Sequence, residues 1–291
     1  ARGTEAFIVN PTPVPQSLRF LVPDDSWVVD AKSDEAREVC DAGDVAVVLD
    51  TGEIPRIGRV RPLIEGLETL VIDHHPTGDR PIEGVAFRDT SAAATGELVF
   101  DLMHRAGGPW PKHADLPIYV SILTDTGGFR FSNTTATCLH IIAELVERGV
   151  SPYDTHRRVY GTSPRRRIRL LQSALASLEV DEKSGVAWMT VPNDEYVAFG
   201  AGPDDLEGFV DYPRSIEGVE VGLLFRTIAR KGIKVSFRSN GEVDVNTLAR
   251  RFGGGGHIRA SGALVEGPLD EVQRQVIRAT REAVELSQPR P

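Results

Sequence analysis

The sequence predicts an α/β protein: a doubly wound parallel domain, a helical connector, and a smaller mixed α/β domain. Three observations carry that expectation. Short apolar runs rich in β-branched residues, 45–49, 70–72 and 119–124, each lead into an Asp: Asp50, Asp73 and Asp125. Such runs, bounded by turn residues, read as strands buried on both faces of a parallel sheet. Stretches of helical periodicity, 92–105 and 134–148, lie between and after them, and alternating strand and helix patterns imply a doubly wound sheet. At 291 residues the chain is also near the length at which a single core divides.

Taken in order, 6–9 and 27–29 read as strands, 33–39 as a short helix, and the three Asp-terminated runs as further strands. Residues 151–180 carry Ser151-Pro152, a basic cluster and the apolar-periodic run 168–175, and read as a connecting helical segment. Beyond it, 186–191, 219–226 and 233–238 are strand-like, with alternation clearest in the last. A helix over 245–252 runs into four glycines and His257, followed by a strand over 260–265 and a helix over 269–286. The expected domains are 1–152 and 181–291, with 153–180 as linker.

Composition narrows the function classes. A net charge of −9 argues against coating long nucleic acid, an affinity built on many phosphate-neutralising Lys and Arg. It leaves room for a small anion held locally. No apolar stretch approaches membrane-span length, and no signal-peptide pattern opens the printed chain. The two cysteines, Cys40 and Cys138, lack metal-ligand spacing and read as reduced, buried thiols of a cytoplasmic protein. The basic groups His156-Arg157-Arg158 and Arg165-Arg166-Arg167-Ile168-Arg169 read either as a solvated helix face or as a wall beside an oligonucleotide groove.

Asp73-His74-His75 is the most informative tripeptide. A carboxylate and two imidazoles at a strand end look like the core of a metal site, and ligands of open α/β sheets bind beyond the carboxyl ends of the strands. Asp50 and Asp125 would join it there, their mutual repulsion offset by divalent cations. Carboxylate and imidazole donors without thiolate suit Mn²⁺ better than soft-ligand metals, although affinity alone excludes neither Zn²⁺ nor Fe²⁺. Near the C-terminus, Gly253, Gly254, Gly255 and Gly256 let backbone N–H groups approach an anion closely, with His257 beside them. Arg130 and Asn133 read as phosphate or base contacts, or as loop-stabilising groups, with Asn133 or Thr134 also able to cap a helix. Arg226, Arg238, Ser239, Arg259 and Ser261 are weighed evenly between ligand contact and ordinary strand-edge roles. His104, His113, His140 and His156, and Trp27, Trp110 and Trp188, read as packing or rim residues.

With Asp73-His74-His75 after a strand, Asp50 and Asp125 at neighbouring ends, and Gly-Gly-Gly-Gly-His near the C-terminus, the chain resembles the DHH phosphoesterase superfamily. More narrowly it is similar to the DHH/DHHA1 branch of nanoRNases and pAp phosphatases. The resemblance spans essentially the whole chain and implies an active site in a cleft between a DHH and a DHHA1 domain. It implies two divalent ions per site, usually Mn²⁺, with Mg²⁺ or Co²⁺ as substitutes, activating a water to attack phosphorus. Position by position, Asp50 matches the carboxylate that bridges both ions, His74 the metal-binding imidazole and Asp125 the fourth-motif carboxylate. Asp73 and His75 match flanking members that orient ligands and contact phosphate, and residues 253–257 match the substrate loop.

The implied substrates are short RNA or DNA oligonucleotides, linear dinucleotides and 3′-phosphoadenosine 5′-phosphate (pAp). Homodimers are common among such relatives, though the sequence shows no clear interface stripe. The alternatives are a single-strand DNA exonuclease of the superfamily and a nucleotide-binding module that does not hydrolyse. One departure stands out: the family's first motif, a His followed by Pro-Asp-x-Asp, does not appear in the printed sequence. The expectation is therefore a chain lacking its first strand and most of its first helix, with metal binding and activity impaired as printed.

Overall fold

The computed structural model of the chain describes residues 4–228 and 231–287. It divides into two units, the boundary lying between Thr162 and Ser163. That boundary falls inside the stretch expected to link the domains: one of its helices belongs to each unit.

The first unit is built on parallel strands. β1 (Ile8–Asn10) and β2 (Val28–Asp30) pair in parallel, and α1 (Asp34–Asp41) follows, capped by the Ser33 hydroxyl, which accepts from the Ala36 N–H at 3.2 Å. β3 (Val45–Leu49), the single turn α2 (Ile54–Ile57), β4 (Glu68–Asp73) and β5 (Val85–Arg88) come next. The last three strands form a parallel sheet in the order β3-β4-β5, in which Leu49, Ile72 and Phe87 share one row and Asp73 stands opposite Arg88. α3 (Thr95–Ala106), α4 (Asp115–Asp125), α5 (Ala136–Glu147) and α6 (Pro152–Val159) complete the unit. Leu98 of α3 packs with Ile72, while Phe100, Ile118, Ile122, Cys138, Ile141 and Leu145 form a helical core.

One expected strand is a helix. Residues 119–124 form the body of α4, not a third Asp-terminated strand. The reason is all-round burial: Ile118, Tyr119, Val120, Ile122 and Leu123 are each 4% exposed or less. With no polar face, no 3.6-residue period shows, and a short apolar run does not separate a buried strand from a buried helix. Asp125 therefore comes from a helix C-terminus, whereas Asp50 follows β3 directly and Asp73 ends β4.

The second unit begins with α7 (Arg165–Ala176), β6 (Glu179–Asp181), β7 (Val186–Val191) and the short helices α8 (Asn193–Ala198) and α9 (Asp211–Arg214). β8 (Val221–Ile228), β9 (Gly232–Ser239), α10 (Val245–Arg250), β10 (Gly255–His257), β11 (Ala260–Val265) and α11 (Leu269–Ser287) follow. The six strands form a mixed sheet in the order β10-β11-β9-β8-β7-β6, of which only the β7–β8 pair is parallel. Both faces are covered. Val221, Leu223, Phe225, Val235 and Phe237 pack with residues of α10 and α11, and Met189, Val191 and Leu224 pack with α7 and Phe209.

Three of the four arginines of α7 serve this unit's own fold. Arg166 pairs with Asp205 at 2.9 Å, Arg167 donates to the carbonyls of Asp205 and Glu207, each at 2.6 Å, and Arg169 lies over the Phe199 ring. No helix among the described residues is long and apolar enough to cross a membrane.

Candidate metal centre and anion contacts

The first site is assembled where β3 and β4 end. The Asp50 N–H still donates to the Ile72 carbonyl at 3.0 Å, so the chain leaves β3 while attached to β4. It then turns through φ +63° at Asp50, a left-handed conformation that costs a non-glycine residue energy and that Asp tolerates better than most. The turn presents a half-exposed carboxylate whose Oδ1 accepts from the Thr95 hydroxyl at 2.7 Å.

His74 faces it. The Nδ1 of His74 lies 3.2 Å from the Ala92 carbonyl, and because a carbonyl only accepts, Nδ1 carries the hydrogen and Nε2 the lone pair. That Nε2 lies 3.6 Å from Asp50 Oδ1 and 3.7 Å from Asp125 Oδ2. A lone pair and two carboxylates aimed at one another repel unless a positive charge, a metal ion or a proton on Nε2, stands among them. Asp125 registers the strain: burial, and then the charge of Asp50, push its carboxyl up to about 6, against the opposing influence of His74 and His75. One ligand atom from each of Asp50, His74 and His75 also falls within 4.8 Å of the others. These residues fit a divalent cation.

The remaining members of the motif support it. Asp73 is 1% exposed, and its Oδ1 accepts from the His75 N–H at 3.2 Å and from His75 Nδ1 at 2.7 Å. Its Oδ2 lies 3.7 Å from the Arg88 guanidinium, which also donates to the Thr77 hydroxyl. A Cβ at Gly52 would meet the far end of that guanidinium, Nη2, which would have to shift to admit it. Beyond α4, Arg130 Nε donates to the Gly127 carbonyl at 2.7 Å, closing its own loop. The Asn133 amide donates to the carbonyls of Ala93 and Asp125, each at 3.1 Å. The structure therefore places Asn133 among the supports of Asp125.

In the second unit, register sorts the candidates. His257, Ala260, Arg238 and Gly222 stand in one row across β10, β11, β9 and β8, and paired positions share a face. Arg238 is mostly buried. Desolvation holds its pKa below the ordinary value, opposed by Asp211 and Glu207 and reinforced by Arg214. Arg226 stands four positions along β8 from Gly222, about 13 Å away at the usual rise per residue. It lies over the Tyr196 ring at 4.8 Å and is not gathered with the rest. Ser239 donates to Glu220 at 3.2 Å and accepts from the Gly241 N–H at 2.9 Å. The carbonyl of Arg259 accepts from the Ser239 N–H, and the Ser261 hydroxyl donates to the His257 carbonyl at 2.8 Å.

The glycines divide in the same way. A Cβ at Gly254 would strike the Gly262 carbonyl, and one at Gly256 would lie 2.6 Å from the Ala260 carbonyl. The Gly256 N–H donates to Asn246 Oδ1 at 3.0 Å. Gly255, by contrast, has its nearest neighbour at 3.6 Å. Gly254 and Gly256 are thus needed for the fit of β10 against β11, whereas Gly253, with nothing within 4 Å, and Gly255 have open space beside them.

Comparison with known proteins decides the family. Residues 189–285 match the DHHA1 domain. The bifunctional oligoribonuclease and PAP phosphatase NrnA of Thermus thermophilus is 34% identical over 284 residues, covering 97% of this chain and 82% of that protein. The chain belongs to the DHH/DHHA1 phosphoesterase family. The Bacillus subtilis enzyme of the same name is 32% identical, covering 90% of this chain and 80% of its own length. In three dimensions, an exopolyphosphatase-related protein from Bacteroides fragilis superposes with a TM-score of 0.90 at 28% identity, covering 97% of this chain and 84% of its own. The DHH/DHHA1 fold, with its nanoRNase-like branch, is the one expected from the motifs.

Sequence reasoning did not single out Thr95, Arg88, Glu220 or Asn246. Thr95 was visible as part of a helical stretch, but nothing in a sequence says which way an N-terminal hydroxyl turns. Arg88 lies fifteen residues beyond Asp73 on a strand that went unrecognised, and only the β4–β5 register brings the two together.

Proposed function

We propose that this chain is a Mn²⁺-dependent phosphohydrolase acting on short oligoribonucleotides and pAp, the substrates named for its relatives, and on linear dinucleotides. The observation that supports this most directly is the convergence of His74 Nε2 with the carboxylates of Asp50 and Asp125. Asp50, His74 and Asp125 would hold the metal, with two ions per site. Bound divalent ions supply Lewis-acid charge for the phosphoryl oxygens and lower the pKa of a water to near neutrality.

The protein's own part is orientation. The Ala92 carbonyl keeps the hydrogen of His74 on Nδ1, and Asp73 does the same for His75. His75 would therefore meet a phosphate oxygen through Nε2, the atom at which it can hold or give a proton. In the second unit His257, Arg238, Arg259 and the backbone at Gly255 are the proposed contacts for a second phosphate or base. The reading takes the enzyme as cytoplasmic, in keeping with two buried free thiols.

The test is incubation of the full chain with Mn²⁺ and either an RNA dinucleotide or pAp, following release of mononucleotide or phosphate. Release that stops with EDTA is expected. Tight binding of either substrate without any product would overturn hydrolysis in favour of a nucleotide-binding module.

A further inference from the structure

The three metal-donor residues share more than a common focus. Each is tied to the same short buried segment, residues 92–95. His74 reaches it through the Ala92 carbonyl, Asp50 through the Thr95 hydroxyl, and the end of α4 at Asp125 through Asn133, which bridges the carbonyls of Ala93 and Asp125. Ala93 and Ala94 are fully buried and Thr95 is 5% exposed, so the segment is a fixed reference for all three.

Thr95 is the informative member. It is the first residue of α3, yet its hydroxyl makes no cap for that helix and turns instead to Asp50. Asp50 needs it: its side chain is 56% exposed, and the Thr95 hydroxyl is the one hydrogen bond its carboxylate makes to the described residues. A half-exposed carboxylate on a left-handed backbone turn has several rotamers open to it, and only a narrow range points Oδ1 towards His74.

We propose that Thr95 and Asn133 are positioning residues of the metal centre, Thr95 selecting the Asp50 rotamer and Asn133 fixing the end of α4. Together with the Ala92 carbonyl they make residues 92–95 the common anchor of the site. The inference rests on the metal reading above but concerns the orientation of the donors, which exists without metal. Outer-shell partners of metal ligands commonly change affinity 10–100-fold when removed.

The experiment has two readouts. Mn²⁺ affinity, from electron paramagnetic resonance of the free ion, is expected to fall about 10–100-fold in T95V, to return to the wild-type value in T95S, and to fall in N133A. Metal-free crystals should show one Asp50 rotamer in the wild type and T95S, and several in T95V. Circular dichroism checks that each variant is folded; T95V is nearly isosteric and leaves Asp50 accessible to water. A folded T95V with wild-type Mn²⁺ affinity or an unchanged single Asp50 rotamer overturns the proposal. If the wild type itself holds no Mn²⁺, the metal reading falls, and the rotamer comparison alone decides the role of Thr95.

Discussion

The candidate metal donors of the first unit and the candidate anion contacts of the second draw on equally polar residues, but the fold uses them differently. In the first unit the partners orient the groups towards a common point. The Ala92 carbonyl holds His74 by Nδ1, the Thr95 hydroxyl bonds Asp50 Oδ1, and Asn133 fixes the main chain at Asp125, while His74 Nε2 stands 3.6 Å from Asp50 Oδ1 and 3.7 Å from Asp125 Oδ2. In the second unit several candidates are engaged within their own unit: Ser239 with Glu220, Gly256 with Asn246 of α10, and Arg226 with Tyr196 of α8. A polar residue at a strand end becomes a site when its partners orient it and leave one atom facing its neighbours. It is structural when the partners are the destination.

The largest effect that would break this contrast is at His74. His74→Ala removes a donor itself and not its support, so Mn²⁺ affinity should fall by more than the ~100-fold upper range for outer-shell partners. Isothermal titration of the folded variant reads it. Affinity within tenfold of wild type would place the metal elsewhere and erase the distinction between the two regions.

The glycine loop gives the next effect, with an internal control. Gly254→Ala drives a Cβ into the Gly262 carbonyl and within 2.7 Å of Ala263 Cα, and such overpacking costs about 1–3 kcal/mol. Gly255→Ala meets nothing closer than 3.6 Å and should leave urea unfolding almost unchanged while weakening nucleotide binding. Equal stability losses would show that the whole loop is architectural. Weakened binding without destabilisation in Gly254→Ala would show that the structural assignment is wrong there.

Much of this was legible in the sequence, and what was not follows one pattern. The convergence of Asp50 and His74 and the order of most elements could be read because short patterns encode them: apolar runs into Asp, helical periods, four glycines and a His; Asp125 joins them from a helix end and not from the strand its run suggested. Residues 119–124 misled because burial on every side removes the period that separates helix from strand. Thr95, Arg88 and Asn246 were hidden because their roles depend on a partner 45, 15 or 10 residues away, and no local pattern records such a partner.

Ser239 tests the structural side of the contrast more finely. Ser239→Ala removes one of three donors to Glu220 Oε1, the others being the N–H groups of Glu242 and Val243, and strips the acceptor from the Gly241 N–H. The expected loss is about 1 kcal/mol of stability, with substrate KM unchanged. A raised KM at unchanged stability would return Ser239 to the anion contacts.

The smallest effect lies at Asp244, which caps α10 immediately before the glycine loop by accepting from the N–H groups of Asn246 and Thr247. Desolvation, the largest single influence, raises its carboxyl. Hydrogen bonds from Thr247 and Asn246 and the charge of Arg250 outweigh this and hold the carboxyl below its ordinary value. A depressed folded pKa stabilises above the unfolded value near 3.9, and that contribution is lost as pH falls through the folded value. Asp244→Ala should therefore cost about 1 kcal/mol at pH 7, and the urea midpoints of wild type and variant should converge as pH falls below about 4. Because α10 also carries Asn246, the acceptor for Gly256, the same variant should loosen the loop at neutral pH. Hydrogen exchange at the Gly256 amide should then quicken at pH 7 while the amides of β8 stay protected. Equal quickening in both would mean that the cap supports the whole sheet and not the loop alone.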